Sequence, residues 1–178
     1  MVALLQSNGG TLVNPLLNID RVDENPLDAI EELISLNEWP FDRSRNDELT
    51  VWIGSGWCTY QMWFLWRSDP DVLYVSCAFD VKVDKTRRAD IHTLLMLINE
   101  RAWLGHFALS PEDDVVTFRH AQLVNALRST ESTTWEALIK IALSECELYF
   151  PAFQFVLWGG KTPPQAISAA LLETQGEA

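Results

Sequence analysis

The chain has 178 residues, enough for one domain that fills its own core and too few for two. It carries 25 acidic and 13 basic residues, a net charge of −12. That balance argues against nucleic acid, whose phosphates call for clustered Lys and Arg, and against an anionic membrane surface.

The opening segment, residues 1–23, holds no sustained period and is broken by Asn8-Gly9-Gly10. It has neither the basic start of a signal peptide nor an apolar run of membrane-spanning length. It is expected to be a flexible arm, with Leu4, Leu5, Leu12, Val13, Leu16 and Leu17 available for docking. Residues 24–178 are expected to form one domain.

The first firm element is "NPLDAIEELISLNEWP". Asn25 can cap a helix and Pro26 can stand at its first position, where a missing N–H costs nothing. Leu27, Ile30, Leu33 and Ile34 form the apolar stripe, and the helix should stop near Asn37, ahead of Pro40.

"ELTVWI" alternates Leu49, Val51 and Ile53 against Thr50 and Trp52, a half-buried strand. After the turn "GSG", "WCTYQMWFLW" predicts a second strand; after "SDPD", "VLYVSCAFDVKV" predicts a third. Strands joined by short turns form an antiparallel meander. Asp84 can cap a helix from Lys85 to about Ala102, with Ile91, Leu94, Leu95 and Ile98 inward. Two further strands are expected at 106–109 and from Val115 towards Ala126.

Thr133-x-x-Glu136 reads as a capping box that opens a long helix. Pro151 should kink or interrupt that helix near Glu147–Phe150. A last short helix runs from Pro164 to about Thr174. The order α-βββ-α-ββ-αα predicts an α+β fold: a twisted antiparallel sheet of about five strands with helices packed against it.

Motifs for chemistry are sparse. Gly160-Lys161-Thr162 ends like a phosphate-binding loop, but that loop needs glycine where Phe155 stands. Helix boundaries explain the same letters. Gly159 is placed to end one helix in the left-handed conformation and Lys161 to face its carbonyls, while Thr162-x-x-Gln165 with Pro163 starts the next helix.

Cys58, Cys77 and Cys146 are far apart in sequence, lack a C-x-x-C pair and lie in apolar runs, which suits small buried hydrophobes better than a disulfide framework, a zinc site or a nucleophile. His92, His106 and His120 show no metal-ligand spacing. Glu112-Asp113-Asp114 is a turn without the alternating ligands of a calcium loop. No catalytic residue, metal or cofactor is expected.

The aromatic surplus, eight Trp and eight Phe, is the remaining feature. Most such residues fill cores, but Trp, Tyr and Phe are also enriched in protein interfaces. Trp103, Leu104, Phe107, Phe153 and Trp158 are the candidate protein-interaction surface.

The segments "NPLDAIEELISLNEWPFDR", "CAFDVKV", "INERAWLGHF" and "SECELYFPAFQFVLWGGKTPPQAISAALLETQGEA" together resemble the YbjN family, in its alphaproteobacterial branch, from about residue 25 to the C-terminus. The resemblance implies a sensory transduction regulator with a fold similar to type III secretion chaperones, often homodimeric, and carries no catalytic residues. The expectation is a non-enzymatic, cytoplasmic, chaperone-like or regulatory protein-binding module. Its partners would be a second copy and an unknown client or regulatory protein, with no nucleic acid and no membrane. The alternative is a small-molecule sensor or an unrecognised enzyme, its pocket between sheet and helices and its polar groups drawn from His106, His120 and Asp80.

Overall fold

The computed structural model of the protein describes residues 25–124 and 132–175. The proposed arm, residues 1–23, lies outside the described residues. Helix α1 spans Pro26–Leu36, and the side chain of Asn25 caps it by accepting from the Leu27 N–H at 3.0 Å. Four strands follow: β1 Phe41–Arg45, β2 Glu48–Gly54, β3 Thr59–Arg67 and β4 Val72–Lys82. A short 3₁₀ turn at Lys85–Arg87 leads into α2, Arg88–Asn99, and Asp84 accepts from the Thr86 N–H at 2.8 Å to cap it. Then come β5 His106–Leu109, β6 Val115–Leu123, α3 Ser132–Leu157 and α4 Pro163–Gln175.

The described residues form one six-stranded sheet in the order β1-β2-β3-β4-β6-β5, and every neighbouring pair is antiparallel. The α+β class and the β2-β3-β4 meander are as expected, with a sixth strand beyond the five. β1 was missed because its residues, FDRSR, are nearly all exposed and carry no alternation. It is an edge strand with charges along it, the usual defence of an edge against further pairing. Arg43 ties β1 to α1 through Asp28 at 2.7 Å and Glu31 at 2.5 Å.

One face of the sheet carries the core. Val51, Met62, Cys77, Phe118 and Phe107 stand side by side across five strands, all buried. Along β4 the buried residues are Leu73, Val75, Cys77, Phe79 and Val81, the two-residue period of a strand with one face packed. The helices bring Leu27, Ile30 and Ile34, then Ile91, Leu94 and Ile98, then Leu138, Ala142 and Phe153 into the same core cluster. Phe79 is its aromatic hub, with ring centroids 5.3 Å from Phe153, 5.6 Å from Phe150, 6.2 Å from Phe107 and 6.3 Å from Tyr60. Each such buried ring contributes on the order of 2 kcal/mol from burial alone.

Three local expectations are corrected. Helix α3 runs unbroken from Ser132 through Pro151 to Leu157. The proline removes one N–H to the Glu147 carbonyl, but Phe150, Ala152, Phe153 and Val156 are all buried, so packing holds the helix on both sides of the missing bond. Thr133 already lies inside α3, so it is a first-turn residue and not the cap. At the other end, Gly160, not Gly159, takes the left-handed conformation, with φ 64°. Gly159 answers a different constraint: a Cβ there would meet the Phe155 carbonyl oxygen at 2.9 Å. The second capping box stands as expected, the Gln165 side chain accepting from the Thr162 N–H at 3.1 Å and Pro163 opening α4.

Candidate protein-interaction surface

The five interaction candidates separate in three dimensions. Phe107 and Phe153 are core residues, 2% and 0% exposed, so they leave the interface set. Phe107 packs on Phe118 at 5.4 Å and Tyr149 at 5.9 Å, and strand alternation turns it towards the helices. Leu104 is half-buried against the core. Trp103 and Trp158 are fully and largely exposed, at 101% and 66%. Lys161, next to the false phosphate loop, lies over the Phe155 ring at 5.4 Å, where a cation gains from the ring's electron-rich face.

The surface that sequence reasoning missed is the second face of the sheet. Alternation turns Trp52, Trp63, Leu65, Tyr74, Ser76 and Ala78 away from the helices. Register aligns them into rows. Thr50, Trp63, Ser76, Arg119 and His106 lie side by side, and Leu65, Tyr74 and Ala121 form the row next to them. Trp63 and Tyr74 meet edge to face at 5.8 Å. Trp52 is 37% exposed, while Trp63, Leu65 and Tyr74 are half-buried by one another. The centre of the face is floored by small side chains, Ser76, Ala78, Ala108 and Thr117, beside the aromatic ridge on β2 and β3. At the Arg67 end an open groove of about 600 Å³ runs between the β1–β2 and β3–β4 turns, with Trp63, Leu65 and Trp66 along it.

The charges on this face are unusual for the chain. Of the seven described arginines, Arg43, Arg45, Arg87 and Arg88 hold carboxylates, and Arg101 donates to the Leu97 carbonyl. Arg101, Arg67 and Arg119 have no carboxylate partner among the described residues, and of these Arg67 and Arg119 stand on the open face. Among the described residues Arg119 donates to Thr117 Oγ1, at 3.0 Å, and Arg67 is exposed. By contrast, a second open groove of about 640 Å³ lies on α1 and is lined by Asp28, Glu31 and Glu32 around the paired Arg43. Burial opposes the charge on Arg43, but its hydrogen bonds to Glu31 and Asp28 outweigh it and hold its pKa above the usual value.

The histidines do not assemble a site. His106 pairs with Arg119 and points to the open face, whereas His120 pairs with Val75 and points to the helix side. Burial, together with the nearby His106, lowers the His120 pKa against a hydrogen bond donated to Gln122, which raises it. The side chain of Asp80 lies outside the described residues. His92 is exposed on α2.

The three cysteines, distant in sequence, converge where α3 crosses the sheet. Burial pushes the Cys146 thiol well above its ordinary range, and the neighbouring Cys77 and Cys58 thiols add to the shift. Tyr60 lies against the same sulfurs. Burial raises its pKa strongly, and a contact with Ser55 offsets only part of that. At the rim Ser55 donates to Glu147 at 2.5 Å and Trp57 packs on Phe150 at 6.1 Å. A buried thiol with a raised pKa, as at Cys146, is a poor nucleophile and a poor metal ligand. Among the described residues no group of three or more His, Cys, Asp or Glu is arranged to hold a metal.

No described helix is long and apolar enough to cross a membrane. In comparison with known proteins, the family YbjN, described as "Putative bacterial sensory transduction regulator", matches residues 26–155. No curated protein matches the chain.

Proposed function

The chain belongs to the YbjN family, and from that premise we propose that it is a non-enzymatic, cytoplasmic protein-binding module, chaperone-like or regulatory, that takes a partner on the open face of its sheet. One observation carries the reading: an antiparallel sheet with helices on one side leaves Trp52, Trp63 and Tyr74 together on the other, beside two arginines without a carboxylate partner among the described residues. Large aromatics and Arg are the residues most enriched where proteins bind one another. Similarity to type III secretion chaperones is part of the proposal, supported by the α+β class and the one-sided helix layer.

A homodimer is proposed as well, through Trp103 and Trp158, which leaves the open sheet face for the client. Light scattering would then give about twice the chain's 20.2 kDa, and Trp103→Ala with Trp158→Ala would return it to one chain. A single-chain mass for the unaltered protein at micromolar concentration removes the dimer.

A photo-crosslinking residue at position 63, installed in the producing cells, tests the open face. We expect a discrete covalent adduct with another protein from position 63 and none from the exposed position 92. Equal, diffuse labelling at both positions overturns the reading.

A further inference from the structure

The charge pattern of the open face specifies the kind of partner. Arg67 and Arg119 stand on the same side of the sheet, two strands and four residues apart. At about 4.8 Å between strands and 3.4 Å per residue, their Cα atoms are roughly 17 Å apart. Tyr74 stands in the row between them, with Leu65 beside it, and Trp63 shares the row of Arg119. An apolar ridge is thus bracketed by two guanidinium groups that have no carboxylate partner among the described residues.

We propose that this face docks an acidic amphipathic segment of another protein, with carboxylates on Arg67 and Arg119 and apolar side chains against Trp63, Leu65 and Tyr74. The inference rests on the protein-binding reading and adds the chemistry of the partner. Guanidinium is suited to the match because its planar fork meets a carboxylate through two parallel hydrogen bonds. The net charge of −12 does not defeat it. The carboxylates of α1 lie in the helix layer on the other side of the sheet, and charges beyond about 8 Å are largely screened at physiological salt. On the open face itself, Glu48 is held by Arg45 at 3.5 Å and Asp42 lies out on the β1 edge, while Asp47 and Asp69 line the groove at the Arg67 end without an ion pair to Arg67 among the described residues. A second copy of this same face is the weaker occupant, because face-to-face pairing would bring unneutralised arginines together.

The test uses the full chain and two labelled synthetic helices of equal length, each with one leucine stripe, flanked in one by glutamates and in the other by lysines. Fluorescence anisotropy should show binding of the glutamate helix, weakening as salt is raised. The lysine helix should not bind, and the Arg67→Glu, Arg119→Glu double variant should lose at least tenfold in affinity for the glutamate helix. Arg67→Gln with Arg119→Gln gives the same loss with less perturbation, and circular dichroism of both variants shows that the fold is kept.

Equal binding of both helices, or affinity unchanged in the double variants, overturns the acidic partner. If neither helix binds while position 63 still crosslinks to a protein, the partner class falls and the protein-binding reading stands. If position 63 captures nothing, the reading itself falls. A drop from dimer to monomer in Trp63→Arg makes the occupant a second copy and overturns the proposal.

Discussion

Asn99 and Phe107 are joined twice: the Asn99 side chain accepts from the Phe107 N–H at 2.7 Å and donates to the Phe107 carbonyl at 3.0 Å. Phe107 lies in β5, which among the described residues is an edge strand paired with β6. One amide side chain, at the last position of α2, therefore imitates a neighbouring strand and satisfies both groups that the edge would leave open. It also fixes the end of α2 against the sheet while the Phe107 ring enters the core.

Asn99→Ala is expected to cost about 2 kcal/mol, because two partly buried backbone groups lose their partners together. Asn99→Asp keeps the acceptor but sets a carboxylate oxygen against the Phe107 carbonyl, so it should rescue little. Urea unfolding of the three proteins measures this; equal midpoints for Asn99→Ala and the parent would show that the pair contributes nothing.

Gly105, two residues earlier, has φ 68°, and a Cβ there would lie 2.3 Å from Phe118 Cζ and 2.7 Å from the Arg119 carbonyl oxygen. Both the backbone conformation and the space exclude a side chain. Gly105→Ala should destabilise by about 3 kcal/mol or more, whereas Gly56→Ala, with nothing within 4 Å, should stay within about 0.5 kcal/mol. Thermal unfolding of the pair checks the contrast.

Cys77 and Cys146 are wholly buried and Cys58 is part-exposed. A disulfide reagent such as dithionitrobenzoate should modify Cys58 in the native protein and reach Cys77 and Cys146 only on unfolding. Mass spectrometry of the labelled native protein locates the sites, and fast modification at Cys146 contradicts the packing of α3 on β4.

Glu145 has a buried oxygen without a hydrogen-bond partner among the described residues, and burial raises its pKa. The fold therefore binds the proton more tightly than the unfolded chain does, and stability falls as pH rises from the ordinary carboxylate range through the raised value. Glu145→Gln removes that cost. Because the residue is partly solvated, the expected gain in Tm at pH 7 is only about 1–3 °C. It should vanish below about pH 4, where both states of the parent are protonated. A gain that persists unchanged at low pH would assign the effect to something other than the carboxyl charge.

Much of the fold was legible because local rules and packing agree. Asn25-Pro26, Asp84 and Thr162-x-x-Gln165 mark helix starts with their own side chains, and all three serve in the structure. Leu49, Val51 and Ile53 alternate cleanly because the opposite face of β2 has Thr50 between them. Where the rules compete, sequence reasoning failed. Pro151 signals a kink or an interruption, and burial on both sides of it accompanies a helix without the interruption. β1 has no apolar face, so only pairing with β2 makes it a strand. In β3, Trp63 and Leu65 are as apolar as the core residues Met62 and Phe64, so hydrophobicity alone could not divide the two faces.

The candidate site lay behind that last ambiguity. Aromatic residues announced an interface without locating it, and two of the five chosen, Phe107 and Phe153, were needed inside. Composition, periodicity and caps by themselves determined the α+β class, most of the elements and the poverty of catalytic motifs, since each depends on residues within a turn or a strand of one another. Only the tertiary structure decided which face of β3 and β4 is open, that Arg67 and Arg119 share it without a carboxylate partner among the described residues, and that Cys77 and Cys146, distant in sequence, are neighbours. Those are relations between residues brought together by strand register and helix packing, and no local pattern in the chain encodes them.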